Sequence, residues 1–284
     1  MQLLCPACRT PLPGSPAGKA AVLTCNSCSA EVDVSRAGTA DGRPRFAPEV
    51  DRAGDTVSGF VLEARIGAGG MGTVYRARRP GDAGPVAVKF LSPALASEPD
   101  VVARFHREVK LLKSLSHPAI VRVIDHGDES GVPWFAMELV DGPDLRARLA
   151  KGKLGLEETG KVFGRLLEAL GHAHSKGITH RDLKPANVLL AEDGAKLADF
   201  GIARHDPGAS SHLTKLTETA AVLGTFPYMS PEQRAGSDDV DRRSDLFSVG
   251  VLLYEALTGK LPQGAFAPPS RLNPALPTRL DGVI

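Results

Sequence analysis

At 284 residues, with 42% hydrophobic residues and a net charge of +1, the chain can build a two-lobed domain with a real core plus a small appendage. Its near-neutral balance, with Lys and Arg scattered, gives no electrostatic footprint for nucleic acid or an anionic membrane. No apolar run reaches the ~18 residues of a bilayer span, and Met1 to Cys5 turns polar too soon for a signal peptide. No membrane segment is therefore expected within the chain, and the cytoplasm is the expected compartment, with an anchor beyond residue 284 left open.

All four cysteines fall before residue 30. Cys5-x-x-Cys8 and Cys25-x-x-Cys28 are separated by sixteen residues, a spacing that fits a zinc ribbon. Each C-x-x-C turn brings two thiolates together, and two such knuckles complete a tetrahedral S₄ site for structural Zn²⁺. Two disulfides or a redox pair are the competing readings, both weaker in a cytosolic chain. Residues 1–34 are thus expected to form a metal-held ribbon whose folding energy comes from the ion. It carries few basic residues and no aromatic one, which argues against nucleic acid. Residues 35–57, rich in Gly, Ala, Pro, Arg and Asp, read as a flexible linker.

From Ser58 onward an α+β domain is expected over 58–284. Phe60 to Ile66, Gly72 to Arg78 and Val86 to Leu91 read as strands. Val101 to Ser114 carries Val102, Phe105, Val109 and Leu112 at helical spacing. Ile120 to Ile124 and Trp134 to Leu139 are strand-like. Helices follow over Leu145 to Ala150, Leu156 to Lys176 and Asp245 to Leu257.

Three motifs carry chemistry. Ile66-Gly67-Ala68-Gly69-Gly70-Met71-Gly72 contains G-x-G-x-x-G, followed by a second strand rather than a helix, so it is a hairpin and not a dinucleotide-binding turn. Val86-Ala87-Val88-Lys89 puts a lysine on an apolar strand, where it needs a partner; Glu108 on the next helix is the expected one. His180-Arg181-Asp182-Leu183-Lys184-Pro185-Ala186-Asn187 and Asp199-Phe200-Gly201 gather a proton acceptor (Asp182), a cation for a transferring phosphoryl group (Lys184) and two oxygen donors for Mg²⁺ (Asn187 and Asp199).

On these motifs the chain resembles the eukaryotic-like (Hanks-type) serine/threonine protein kinases in their bacterial form. The resemblance implies a β-rich N-lobe and an α-rich C-lobe, and transfer of the γ-phosphoryl of ATP, with Mg²⁺ or Mn²⁺, to protein Ser or Thr hydroxyls. It implies that Lys89 holds the α/β-phosphates and that Glu108 orients it. Residues 66–72 would close over the phosphates. Val74, Ala87 and Leu189 would sandwich the adenine, with Glu138 C=O and Val140 N–H bonding its edge, Met137 beside it and Asp144 toward the ribose. His180 would be structural, beneath Phe200. Lys184 is the serine/threonine form, Thr225 faces Asp182 as part of the substrate platform, and Asp245 braces the catalytic loop. Residues 199–232 look like an activation loop with Thr217 and Thr219 as phosphosites, for which Arg181 is a dock and a second copy of the chain a partner in trans. The family continues with further helices and an arginine that pairs with the residue here Glu232. The chain ends before them, which implies either a piece of a longer protein, the favoured expectation, or an impaired ATP-binding scaffold with Glu232 unpaired.

Overall fold

The computed structural model describes residues 22–24, 31–33, 51–81, 84–201, 225–237 and 239–284. Cys5, Cys8, Cys25, Cys28, Thr217 and Thr219 lie outside them. At the N-terminal end, β1 (Val22–Thr24) pairs antiparallel with β2 (Glu31–Asp33), Val22 opposite Asp33 and Thr24 opposite Glu31.

A six-stranded antiparallel sheet forms the first lobe. Its strands are β3 (Thr56–Val57), β4 (Phe60–Gly69), β5 (Gly72–Arg78), β6 (Val86–Leu91), β7 (Val123–Glu129) and β8 (Val132–Glu138), in the order β3-β4-β5-β6-β8-β7. β6 lies inside the sheet with both faces covered, so its sequence is a nearly unbroken apolar run rather than an alternation. Lys89 is the one cation in that run, and it is only partly buried. Two helices, α1 (Pro93–Ala96) and α2 (Pro99–Lys113), separate β6 from β7. Pro99 starts α2 at a position where its missing N–H costs nothing. Val101, Phe105, Val109 and Leu112 then form one buried stripe at i, i+4, i+8 and i+11.

The second lobe is helical: α3 (Leu145–Leu149), α4 (Leu156–Ser175), α5 (Pro231–Arg234), α6 (Arg242–Thr258) and α7 (Pro269–Leu272), with the short hairpin β9 (Val188–Ala191) and β10 (Gly194–Leu197) between α4 and α5. α6 is capped by the Asp241 side chain and stopped by Gly259 in the left-handed region. One apolar core runs from α2 through Phe163, Leu166 and Leu170 on α4 to Val251 and Leu252 on α6; a smaller one lies on the other face of the sheet around Phe60, Tyr75, Val88 and Trp134. The first core crosses between the lobes, so α2, β10 and α6 share one packing unit.

Two sequence expectations shift, and one hairpin appears that the sequence did not announce. The linker expected to reach Val57 does not extend that far: Val57 is buried in register with Phe60, and the Arg52 guanidinium lies 4.4 Å over the Phe90 ring. The strand expected from Ile120 starts instead at Val123, because Ala119 and Val121 bond Leu197 at the end of β10 (Val121 N to Leu197 O, 2.9 Å; Leu197 N to Ala119 O, 2.9 Å). The β9–β10 hairpin is not expected from sequence, since four-residue strands carry too little alternation to read. Asn187 directly precedes β9 and Asp199 follows β10, so the hairpin brings the two ends of the segment back together, with Ala198 N donating to Asn187 O at 2.9 Å. Among the described residues no helix is long and apolar enough to cross a membrane.

Candidate active site

The loop after α4 is positioned by one carboxylate from α6. Asp245, 1% exposed, accepts from His180 N (2.9 Å) and Arg181 N (2.9 Å) and meets His174 Nε2 at 2.7 Å. The sequence expectation that Asp245 braces this backbone matches the geometry. Arg181 sits at φ +65°, a left-handed conformation that non-glycine residues adopt only when their surroundings impose it. His180 is fully buried, its ring 4.6 Å from that of Phe200. Its Nδ1 accepts from Asp182 N (3.2 Å), so Nε2 carries the proton and donates to Ala198 O (3.0 Å). Burial pushes its pKa down against the pull of Asp245. The imidazole is therefore neutral and structural, as expected.

Around that loop the expected catalytic residues converge. Asp182 Oδ2 lies 2.8 Å from Lys184 Nζ and 3.3 Å from Asn187 Nδ2, and Asn187 Nδ2 also donates to Asp182 O (2.8 Å). Lys184 Nζ reaches Thr225 Oγ1 at 3.3 Å, which joins the segment after residue 224 to the same cluster. With the Asn187 amide fixed by its nitrogen, its Oδ1 is the end left to face a cation. Asp199, at φ +53°, supplies the second oxygen donor. This all-oxygen, hard donor set fits Mg²⁺.

The lysine on β6 chooses a partner other than the expected one. Lys89 Nζ bonds Asp199 Oδ1 at 2.6 Å and makes no ion pair with Glu108. Burial would raise the Asp199 pKa, but the Lys89 ammonium beside it, with Lys184 beyond, more than offsets this and holds it below the ordinary range. Glu108 makes no ion pair or hydrogen bond among the described residues. Burial raises its pKa from 4.5 to about 7, against the opposing pull of Arg104, Arg181 and Arg107. The expected orienting pair thus gives way to Lys89–Asp199, and Glu108 is half-neutral near physiological pH.

Of the residues expected on the nucleotide side, those from Ile66 to Ala87 and Glu138 lie on or between the adjoining strands β4, β5, β6 and β8. Gly69 pairs with Gly72 to close the β4–β5 hairpin over Gly70 and Met71. Gly72, at φ +143°, could not carry a side chain: a Cβ there would lie 1.8 Å from Phe90 O. Val74 faces Gly67 on one side and Lys89 on the other, and Ala87 pairs with Met137. Ile66 is half-exposed at the hairpin's edge, followed by Ala68 opposite Thr73. Glu138 ends β8, two residues before Val140, and Leu189 lies on β9 opposite Lys196.

Four partnerships were missed. Glu138 is anchored by Lys196 Nζ at 2.5 Å, a contact between residues 58 apart that no local pattern signals. Asp144 caps α3, its Oδ1 accepting from Ala147 N at 2.6 Å, a local bond that the sequence reading did not include. Glu232, expected to be unpaired, accepts from the Ser244 hydroxyl, which together with its own backbone holds its pKa down. The Gln233 side chain also bonds Arg181 O; the S-x-x-Q spacing from Ser230 was the available signal.

A β-sheet lobe and a helical lobe, with a cross-lobe Lys–Asp pair above an Asp–Lys–Asn loop, make up the two-lobed protein kinase fold. The protein kinase domain family matches residues 60–269, and the chain belongs to that family. It is 43% identical over 211 residues to serine/threonine-protein kinase PknB of Mycobacterium tuberculosis, covering 72% of this chain and 33% of PknB. It is 40% identical over 220 residues to serine/threonine-protein kinase PknJ of the same organism, covering 76% of this chain and 36% of PknJ. The chain thus spans about a third of the length of these curated relatives. The crystal structure of the M. tuberculosis PknI kinase domain superposes with a TM-score of 0.66 at 34% identity, covering 81% of this chain and 87% of that one.

The Glu108 carboxyl gives a pH signature. Its folded pKa of about 7 stands above the ordinary 4.5, so the folded chain holds a proton that the unfolded chain releases. That contribution to stability is complete below 4.5 and is lost as pH rises through 7. Compared with Glu108→Gln, the native chain should lose urea resistance between pH 5 and pH 8. Parallel pH profiles for the two proteins would contradict the assignment.

Proposed function

We propose that the chain is a serine/threonine protein kinase: MgATP and a protein Ser or Thr hydroxyl give ADP and a phosphoprotein. The observation that carries this reading is the Asp182–Lys184–Asn187 cluster with Thr225 bonded into it. Asp182 accepts the hydroxyl proton and aligns the oxygen, a role in which placement counts for more than base strength. Lys184, already against Asp182, neutralises charge gathering on the transferred phosphoryl group. Lys89 holds the α/β-phosphates from the facing strand. Asn187 and Asp199 hold Mg²⁺, which when bound shields the phosphate charges. The glycines of residues 66–72 let the hairpin backbone approach those phosphates. Val74, Ala87 and Leu189 flank the adenine, and the backbone at Glu138 and Val140 bonds its edge. Lys184 and the names of the relatives support Ser and Thr over Tyr as acceptors.

Thr217 and Thr219 are the proposed sites of self-phosphorylation, transferred between two copies of the chain. Two cations support a phosphate dock: Arg181 is exposed, and Arg104 is 6% exposed with Nε and Nη1 unpartnered among the described residues. Lys89 on Asp199 rather than Glu108 favours reading this conformation as the resting one.

At the N-terminus, Cys5, Cys8, Cys25 and Cys28 are proposed to hold structural Zn²⁺ in a ribbon. The β1–β2 pairing supports this, because its two strands flank the second C-x-x-C in sequence.

Asp182→Asn should lower ³²P transfer from ATP by ~10²–10⁴-fold, and mass mapping of the active chain should find phosphate on Thr217 and Thr219. Undiminished transfer by Asp182→Asn would remove Asp182 from its role. Elemental analysis of the full chain should give one zinc per chain, falling away in a Cys5→Ser/Cys25→Ser variant; a metal-free native chain would end the ribbon reading.

A further inference from the structure

We propose that Gln233 is a positioning residue for phosphoryl transfer, its side-chain amide holding the peptide that leads into Asp182. The proposal rests on the kinase reading and adds to it a link between the α5 segment and the catalytic loop.

Gln233 is the third residue of α5, and Ser230 is its N-cap. Gln233 N donates to Ser230 Oγ (3.4 Å), while Gln233 Oε1 accepts from Ser230 N (3.1 Å) and Ser230 Oγ (3.3 Å). This reciprocal box fixes which end of the amide is oxygen. The nitrogen end must then point away from the helix, and Nε2 donates to Arg181 O at 2.7 Å.

That carbonyl belongs to a peptide with little freedom. Arg181 is held at φ +65°, a left-handed conformation that a residue with a side chain keeps only when its surroundings impose it. Asp245 secures the N–H groups of His180 and Arg181 but does not touch Arg181 O. The plane joining Arg181 to Asp182 is fixed at its two ends by different groups. Its N–H, that of Asp182, donates to His180 Nδ1, and its C=O accepts from Gln233. Rotation of this plane would swing the Asp182 carboxylate away from Lys184 and Asn187. The α5 end of the tether lies just past Thr225, which is itself bonded to Lys184. Gln233 therefore connects the substrate platform to the proton acceptor.

The chemistry separates this role from plain helix capping. Glutamate at the same place keeps the cap, since a carboxylate accepts from Ser230 N–H as well as an amide does. It has no N–H for Arg181 O, and it sets two acceptors against each other where 2.7 Å now separates donor from acceptor.

In the full chain, Gln233→Glu should keep the melting temperature of the native protein but lower kcat for a peptide substrate by about ten- to a hundredfold, the scale of an ångström-sized misplacement. KM for ATP should stay within about twofold, because no nucleotide contact is altered. Amide hydrogen exchange at Asp182 should accelerate. Gln233→Met, which keeps side-chain length without donor or acceptor, should show the same kcat loss and carries the test if the glutamate variant does not fold. A folded variant with native kcat and native exchange at Asp182 overturns the proposal. If the native chain transfers no phosphate at all, the kinase reading fails, while the exchange comparison still decides whether Gln233 holds the loop.

Discussion

The candidate chemistry depends on a buried carboxylate. Asp245 is removed from water at a cost of several kcal/mol unless its oxygens are bonded, and two backbone N–H groups and His174 supply those bonds. The loop in turn needs Asp245, because a left-handed arginine next to a fully buried histidine does not hold its shape unaided. Each side satisfies what would otherwise be unfavourable in the other. Asp245 stands in the first turn of α6, where the helix N-terminus favours a negative charge. The rest of that helix is locked into the core through Val251 and Leu252. The position of Asp182 is therefore inherited from apolar packing two turns away.

Across the lobes, one ammonium has two carboxylate claimants. Lys89 takes Asp199, and that contact holds Asp199 ionised even though burial opposes it. Glu108 is left with arginines at a distance and a proton of nearly even affinity at neutral pH. An ammonium bonded at 2.6 Å to one carboxylate has little reason to leave for another that is half-protonated. Exchange between the two requires that Asp199 be neutralised by another cation or that Glu108 lose its proton. The N-lobe sheet sets where Lys89 lies, but the charge state of its neighbours sets which residue it serves.

Much of this was legible in the sequence, for physical reasons that differ by feature. β5 and β6 have the expected bounds because a glycine turn and an apolar run mark them locally. The residues of the catalytic loop could be named because their types and spacing are dictated by the chemistry of phosphoryl transfer. Choices between distant partners were not legible. Lys89 is as compatible in sequence with Glu108 as with Asp199, and only the packing of α2 against β7 and β8 decides. Ser244 as the partner of Glu232, and Lys196 as the anchor of Glu138, are likewise contacts made by the fold. Gln233 lies between these cases: S-x-x-Q announced a helix cap, but the second bond of the same amide reaches back 52 residues.

Backbone amide exchange at His180 and Arg181, compared between the native chain and Asp245→Asn, tests the dependence of the loop on that carboxylate most directly. An asparagine presents only one acceptor oxygen where two N–H groups need one each. If the loop depends on Asp245, exchange accelerates at one or both of these amides while the amides within α4 keep native protection. Native protection at both His180 and Arg181 in the folded variant would contradict that dependence.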